Sequence, residues 1–203
     1  IATTATLGLR DVTVTSGGLP VTLTGAITLV SAPTVTGFVS GTSTAAGQGA
    51  VTRTFSITGT AFDPAATVEF SNPGVTVNAT TWTSSTAMTV TISVSLTATV
   101  GASDVRVVNP NYGTGIRTGG LTITAAPTIS SLTPTSRGAG ATGQTITISG
   151  TGFQTGATTV FSGTLITVLS STITATSVAV TVNISGNATT GLRDITITNP
   201  DGG

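Results

Sequence analysis

Apolar and polar, mostly hydroxylated, residues alternate in six segments of the chain: TFSITG at 54–59, MTVTISVSL at 88–96, DVRVV at 104–108, LTIT at 121–124, QTITISG at 144–150 and VAVTVNIS at 178–185. Period-two alternation rich in Val, Ile and Thr predicts strands with one face buried, because successive side chains leave the pleated backbone on opposite sides. The gaps hold Gly, Pro, Asn and Ser, as in SNPG at 71–74 and NPNYG at 109–113, residues that supply the dihedral angles of turns. Nowhere does an apolar residue recur every three to four positions between caps, so an all-β chain with essentially no helix is expected.

The pattern repeats. GLRDVTVTSG at 8–17 returns as GLRDITITNP at 191–200, and Gly8, Gly101 and Gly191 start three copies of one segment, 93 (101 − 8) and 90 (191 − 101) positions apart. APT at 32–34 returns at 126–128, and ITGTAF at 57–62 returns as ISGTGF at 148–153. A unit of about 90 residues with about seven short strands is what an antiparallel sandwich of the immunoglobulin type requires. The expected fold is therefore a tandem of immunoglobulin-like antiparallel β-sandwiches.

The stretch APTISSLTPTSRGAGATGQTITISGTGF, followed by TTVFSG and closing on ITITNPDGG, resembles the IPT/TIG family of immunoglobulin-like domains. The family pattern falls on Pro127, Ile129, Pro134, Ile146, Ile148, Gly150, Gly152, Phe153, Val160, Phe161, Asn199, Pro200 and Gly202. Residues 32–125 follow it more loosely: Ala61 stands at the second Gly, and VSGTSTAAGQGAV forms a longer opening loop without Pro. The resemblance implies an immunoglobulin-like fold and a tandem spacer of microbial surface proteins, placed extracellularly at the cell surface. It carries over no catalytic residue and no cofactor.

The chain is out of step with its repeat. Residues 1–31 supply the last two strands of an incomplete unit, 32–125 a whole sandwich, and 126–203 a sandwich without its last strand. Strand 27–30, or a longer part of 19–31, is a candidate donor that completes the open unit of a neighbouring subunit through Ile27 and Leu29, joining chains head to tail. The alternative is a closing strand that follows at residue 204. The linkers VSAPT and TAAPT leave two or three residues between units and contain Pro, so neighbouring units are expected to stack end to end with limited bending.

Composition narrows the function classes. Six Arg, no Lys, no His, no Cys and six acidic residues give zero net charge, while 50 Thr and 20 Ser occupy about a third of the chain. With 38% hydrophobic residues and no charge excess the chain should fold. No Lys/Arg cluster exists to neutralise phosphates, so nucleic acid is not an expected partner. Thr or Gly interrupts every apolar run, so no membrane-spanning stretch is expected. General bases and activated nucleophiles are nearly absent, and the chain is read as no enzyme. Arg10 and Asp11, like Arg193 and Asp194, are read as strand neighbours on opposite faces, and Asp63 and Glu69 as solvated residues around a turn.

Asn78, Asn183 and Asn187 stand in N-x-Ser/Thr sequons and are candidate glycan acceptors in an extracellular setting. Trp82 and Tyr112 are the candidate aromatic platform for a ligand. The expected function is a structural surface protein, a repeat unit of a fibre, filament or adhesin stalk, that self-associates with neighbouring subunits or repeats. The alternative is an accessory carbohydrate-binding or spacer module of a secreted enzyme, which needs that platform exposed.

Overall fold

The computed structural model describes residues 5–111 and 113–203, which contain strands and turns and no helix. In chain order the first ten strands are β1 (Gly8–Ser16), β2 (Leu19–Leu29), β3 (Thr34–Val39), β4 (Ala45–Gly47), β5 (Arg53–Thr60), β6 (Thr67–Phe70), β7 (Val75–Ser84), β8 (Ala87–Val94), β9 (Gly101–Val108) and β10 (Thr114–Thr124). The remaining six are β11 (Thr128–Thr133), β12 (Gln144–Thr151), β13 (Thr158–Phe161), β14 (Ile166–Ile173), β15 (Ser177–Ile184) and β16 (Ile195–Thr198).

Strands β3 to β10 close one sandwich, with sheets ordered β3-β5-β8-β7 and β4-β10-β9-β6. All pairs are antiparallel except β4 with β10. This is the immunoglobulin arrangement of two antiparallel sheets joined by crossovers. The alternation seen in the sequence sets the layers. In β8 every second residue (Met88, Val90, Ile92, Val94) is buried against Phe55 and Ile57 of β5 and Val105 and Val107 of β9. Phe38 and Phe55 stack with ring centroids 4.5 Å apart, and Phe70 meets Phe38 edge-on at 5.8 Å.

The sandwich has eight strands where about seven were expected. The extra one, β4, lies within the stretch read as a loop, and it exists only because Thr122, Ile123 and Thr124 of β10 pair with it in parallel. Three residues without alternation leave no local signal.

The second set of strands repeats the first in part. Sheet β11-β12-β15-β14 matches β3-β5-β8-β7, but opposite it stand only β13 and β16. Its core has eight buried hydrophobics among the described residues, against 18 in the first. β16 is four residues long where β9 is eight, and residues 191–194 lie outside any strand. Arg193 and Asp194 are therefore not strand neighbours as expected. Their counterparts in β9 are held by pairing with β10, and nothing in the described chain offers that pairing here.

The hairpin β1-β2 copies β9-β10. Both bulge at the same place, between Arg10 and Val12 in one and between Arg117 and Leu121 in the other. In both, a bulge glycine amide donates to a carboxylate 2.8 Å away, Gly25 to Asp11 and Gly119 to Asp104. Asp11 and Asp104, at matching positions of the two hairpins, thus clamp their bulges. Inside the first sandwich the two hairpin strands bury Val105, Val107, Leu121 and Ile123, whereas in β1-β2 the matching Val12, Val14 and Ile27 are exposed.

Candidate functional site

The family motif builds a bracket at one end of each sandwich. A Cβ on Gly59 would lie 1.8 Å from the Thr34 carbonyl oxygen and 2.5 Å from the Phe62 ring, and one on Gly150 would meet Thr128 and Phe153 in the same way. The second motif position has positive φ, 73° at Gly152 and 55° at Ala61, a region that glycine enters without steric cost. A buried Asn closes the bracket. The Asn199 side-chain amide donates to the Gly152 carbonyl (2.8 Å) and its oxygen accepts from the Gln154 amide (3.1 Å). Asn109 does the same with Ala61 (2.8 Å) and Asp63 (3.1 Å). Gly-x-Gly-Phe and Asn-Pro-x-Gly are therefore two halves of one structural device.

In the second sandwich this bracket also grips the first. Asp201, 4% exposed, accepts from the Thr124 hydroxyl at 2.6 Å, from the Gln154 side-chain amide, and from the Gly203 amide at 3.1 Å. Its carbonyl accepts from the Gly47 amide at 3.0 Å, and Arg53 donates to the Pro200 carbonyl at 2.8 Å. Gln48 bridges the linker, accepting from the Ala126 amide (3.3 Å) and donating to the Ala98 carbonyl (2.7 Å). The buried carboxylate is satisfied by hydroxyl and amide donors, which is what makes its burial tolerable. The end of β10, with Gly47 of β4 and Arg53 of β5, thus meets the turn after β16 through a polar clasp, and a Cβ on Gly47 would lie 2.5 Å from the Gly203 Cα.

A groove of about 510 Å³ opens on the second sandwich, lined by Leu132, Ile146, Phe161, Ile166, Ile184 and Ile195, with Arg137 and Arg193 among its lining residues. These six apolar residues occupy the places that Phe38, Phe55, Phe70, Val75, Val94 and Val105 hold in the first sandwich, by the matching strand pairings. There, Leu121 and Ile123 of β10 complete the core.

The other predicted residues lie apart. Ile27 and Leu29 sit on β2, exposed and half-buried. Asn78 is exposed on β7, its amide donating to the Ser93 hydroxyl (2.6 Å) and the Val51 carbonyl (3.3 Å). Asn183 is half-buried on β15 and accepts from the Gly143 amide (2.8 Å), while Asn187 is exposed in the turn after β15. Trp82 is 38% exposed, with its indole N–H donating to the Phe62 carbonyl at 3.2 Å. Tyr112 lies outside the described residues. Glu69 is in β6, not in a turn as expected, and pairs with Arg106 across the sheet at 3.3 Å, an exposed ion pair of small energy. Asp63 does sit in a turn, its carboxylate accepting from the Ala65 amide.

Among the described residues no group of three or more His, Cys, Asp or Glu could hold a metal, and no helix is long and apolar enough to cross a membrane. A comparison with curated proteins finds no match. Similar solved structures include invasin, a bacterial integrin-binding protein, at 17% identity over 95% of this chain and 42% of that one, with a TM-score of 0.33. Another is the surface glycan-binding protein PbSGBP-B from Prevotella bryantii, at 15% identity over 85% of this chain and 41% of that one, TM-score 0.33. A third is the S-layer protein rSbsC, at 14% identity over 96% of this chain and 26% of that one, TM-score 0.29. This chain spans less than half the length of each. The model of the IPT/TIG domain matches residues 127–203, the stretch that carries the Gly150, Phe153 and Asn199 bracket, and this part of the chain belongs to the IPT/TIG domain family.

Proposed function

We propose that the chain is a non-catalytic, extracellular structural protein, a repeat unit of a surface fibre, filament or adhesin stalk, divided into a partial unit at 1–31 and sandwiches at 32–125 and 126–203. The observation that carries this reading is the Asp201 clasp. A flexible array needs only a linker, whereas here a buried carboxylate and a glycine-to-glycine backbone approach join consecutive sandwiches end to end. That joint transmits bending and tension from one sandwich to the next. Self-association with neighbouring subunits or repeats belongs to the same reading, and Asn187, exposed in a turn, is the sequon best placed to carry a glycan.

Small-angle scattering tests it. The protein is expected to give an elongated particle with a narrow distance distribution, and native material is expected to show filaments or stalks by electron microscopy. Asp201→Ala should broaden that distribution and lower the stability of the second sandwich by about 1–3 kcal/mol, since it orphans the Thr124 hydroxyl and the Gln154 amide. A compact wild-type particle would sink the reading.

A further inference from the structure

Asp201 offers more than its turn requires. In the first sandwich the matching turn is closed by Asn111, whose side-chain oxygen accepts from the Gly113 amide at 2.9 Å, as Asp201 Oδ1 accepts from the Gly203 amide at 3.1 Å. An amide side chain is therefore enough to build the turn. What a carboxylate adds is a second acceptor, Oδ2, and it takes the Thr124 hydroxyl at 2.6 Å and the Gln154 side-chain amide. Asp201 is 4% exposed, and Thr124 and Gln154 are half-buried. A nucleophilic oxygen and a carboxamide nitrogen thus share one basic atom, at a joint where Thr124 belongs to one sandwich and Gln154 to the next. The counterparts at the joint before β3 are Val30, Asp63 and Asn111, with no hydroxyl in the Thr place, no carboxamide in the Gln place and no carboxylate in the Asp place. The constellation is peculiar to one joint rather than a demand of the repeat.

We propose that Thr124 and Gln154 join in an intramolecular ester, with Asp201 carrying the proton. Oδ2 of Asp201 takes the hydroxyl proton as Thr124 Oγ1 attacks Gln154 Cδ; a C–O bond forms and the carbonyl electron pair moves onto Oε1. When that pair returns, the C–N bond breaks and Oδ2 gives the same proton to Nε2, which leaves as ammonia. Thr–OH and Gln–C(O)NH2 become Thr–O–C(O)–Gln and NH3, Asp201 is regenerated, and no oxidant or further reactant enters. One oxygen that already touches both the attacking and the leaving atom is the arrangement this proton relay needs, and holding the groups together removes the entropy cost of their encounter. Protonation of the ammonia to ammonium, and its dilution, draw the exchange forward. The bond forms once and does not turn over, so the chain remains non-catalytic, and a hydrogen-bonded clasp between sandwiches becomes a covalent one. This inference rests on the clasp of the structural reading above.

The intact mass of the full chain, measured under denaturing conditions after storage in the folded state, tests it. A mass lower than that of the sequence by one ammonia is expected. Trypsin cuts after Arg117, Arg137 and Arg193, so Thr124 and Gln154 fall on separate fragments, 118–137 and 138–193. These are expected as one linked species that hydroxylamine separates, which distinguishes the ester from ammonia loss at an Asn, where no fragments are joined. Thr124→Val, Gln154→Ala and Asp201→Asn should each show the full mass of their own sequence, and Thr124→Ser should keep the loss. The full sequence mass in the wild type, with the two fragments unlinked, overturns the proposal, as does a linked species that persists in Thr124→Val or Asp201→Asn. An elongated particle of unmodified mass sinks the ester alone, whereas a compact particle sinks the structural reading whatever its mass.

Discussion

Phe55→Ala is expected to destabilise the first sandwich by about 3–5 kcal/mol, a large share of the roughly 5–15 kcal/mol that holds a domain of this size. Phe55 is fully buried, stacks on Phe38 at 4.5 Å with a 16° interplanar angle, and lies on the strand between β3 and β8. Truncation leaves a cavity walled by Phe38 and Val90 that a sandwich closed on both faces cannot collapse to fill. Urea unfolding checks this through the midpoint of the transition assigned to residues 32–125. The matching Ile146→Ala in the second sandwich should cost less, because Ile146 already borders the open groove and its removal enlarges a space that water reaches. Equal losses at the two positions would contradict the view that the second core is open.

Asn199→Ala is expected to have the next largest effect. The side chain is 3% exposed, and its loss orphans the Gly152 carbonyl and the Gln154 amide, at about 1–3 kcal/mol for each group. The same substitution loosens the turn that presents Pro200 and Asp201 to the first sandwich. Asn109→Ala, with the same two hydrogen bonds in the first sandwich, serves as the comparison. Hydrogen exchange should show the Gln154 amide losing protection in the first variant and the Asp63 amide in the second. Protection unchanged at Gln154 would show that the bracket is not what holds the turn.

Much of this architecture was legible in the residues because it is local. Alternation at 88–94 and 178–184 marks β8 and β15, since a strand buried on one face must change character at every residue. Repetition of GLRD and of ITGTAF marks the period, and the Gly-x-Gly-Phe and Asn-Pro turns mark the family, since each fills a backbone geometry that few residues allow. The composition, without His, Cys or Lys, narrows the chemistry before any fold is known.

What the sequence could not disclose is non-local. β4 exists through its parallel pairing with β10, about 77 positions away (122 − 45), and no pattern in three residues announces it. Asp201 is one residue of the NPDGG ending, and nothing in that stretch foretells its burial against Thr124 and Gly47 of the preceding sandwich. Asp11 reads as one of two strand neighbours on opposite faces, and only the fold brings Gly25 to it, as it brings Gly119 to Asp104. The groove is equally invisible, since Ile195 and Phe161 look like ordinary inward residues whether or not a strand covers them. Period and composition are properties of neighbouring residues, which the chain carries along its length; clasp, bulge and groove are set by which distant segments share an edge, and that is decided only when the sheets assemble.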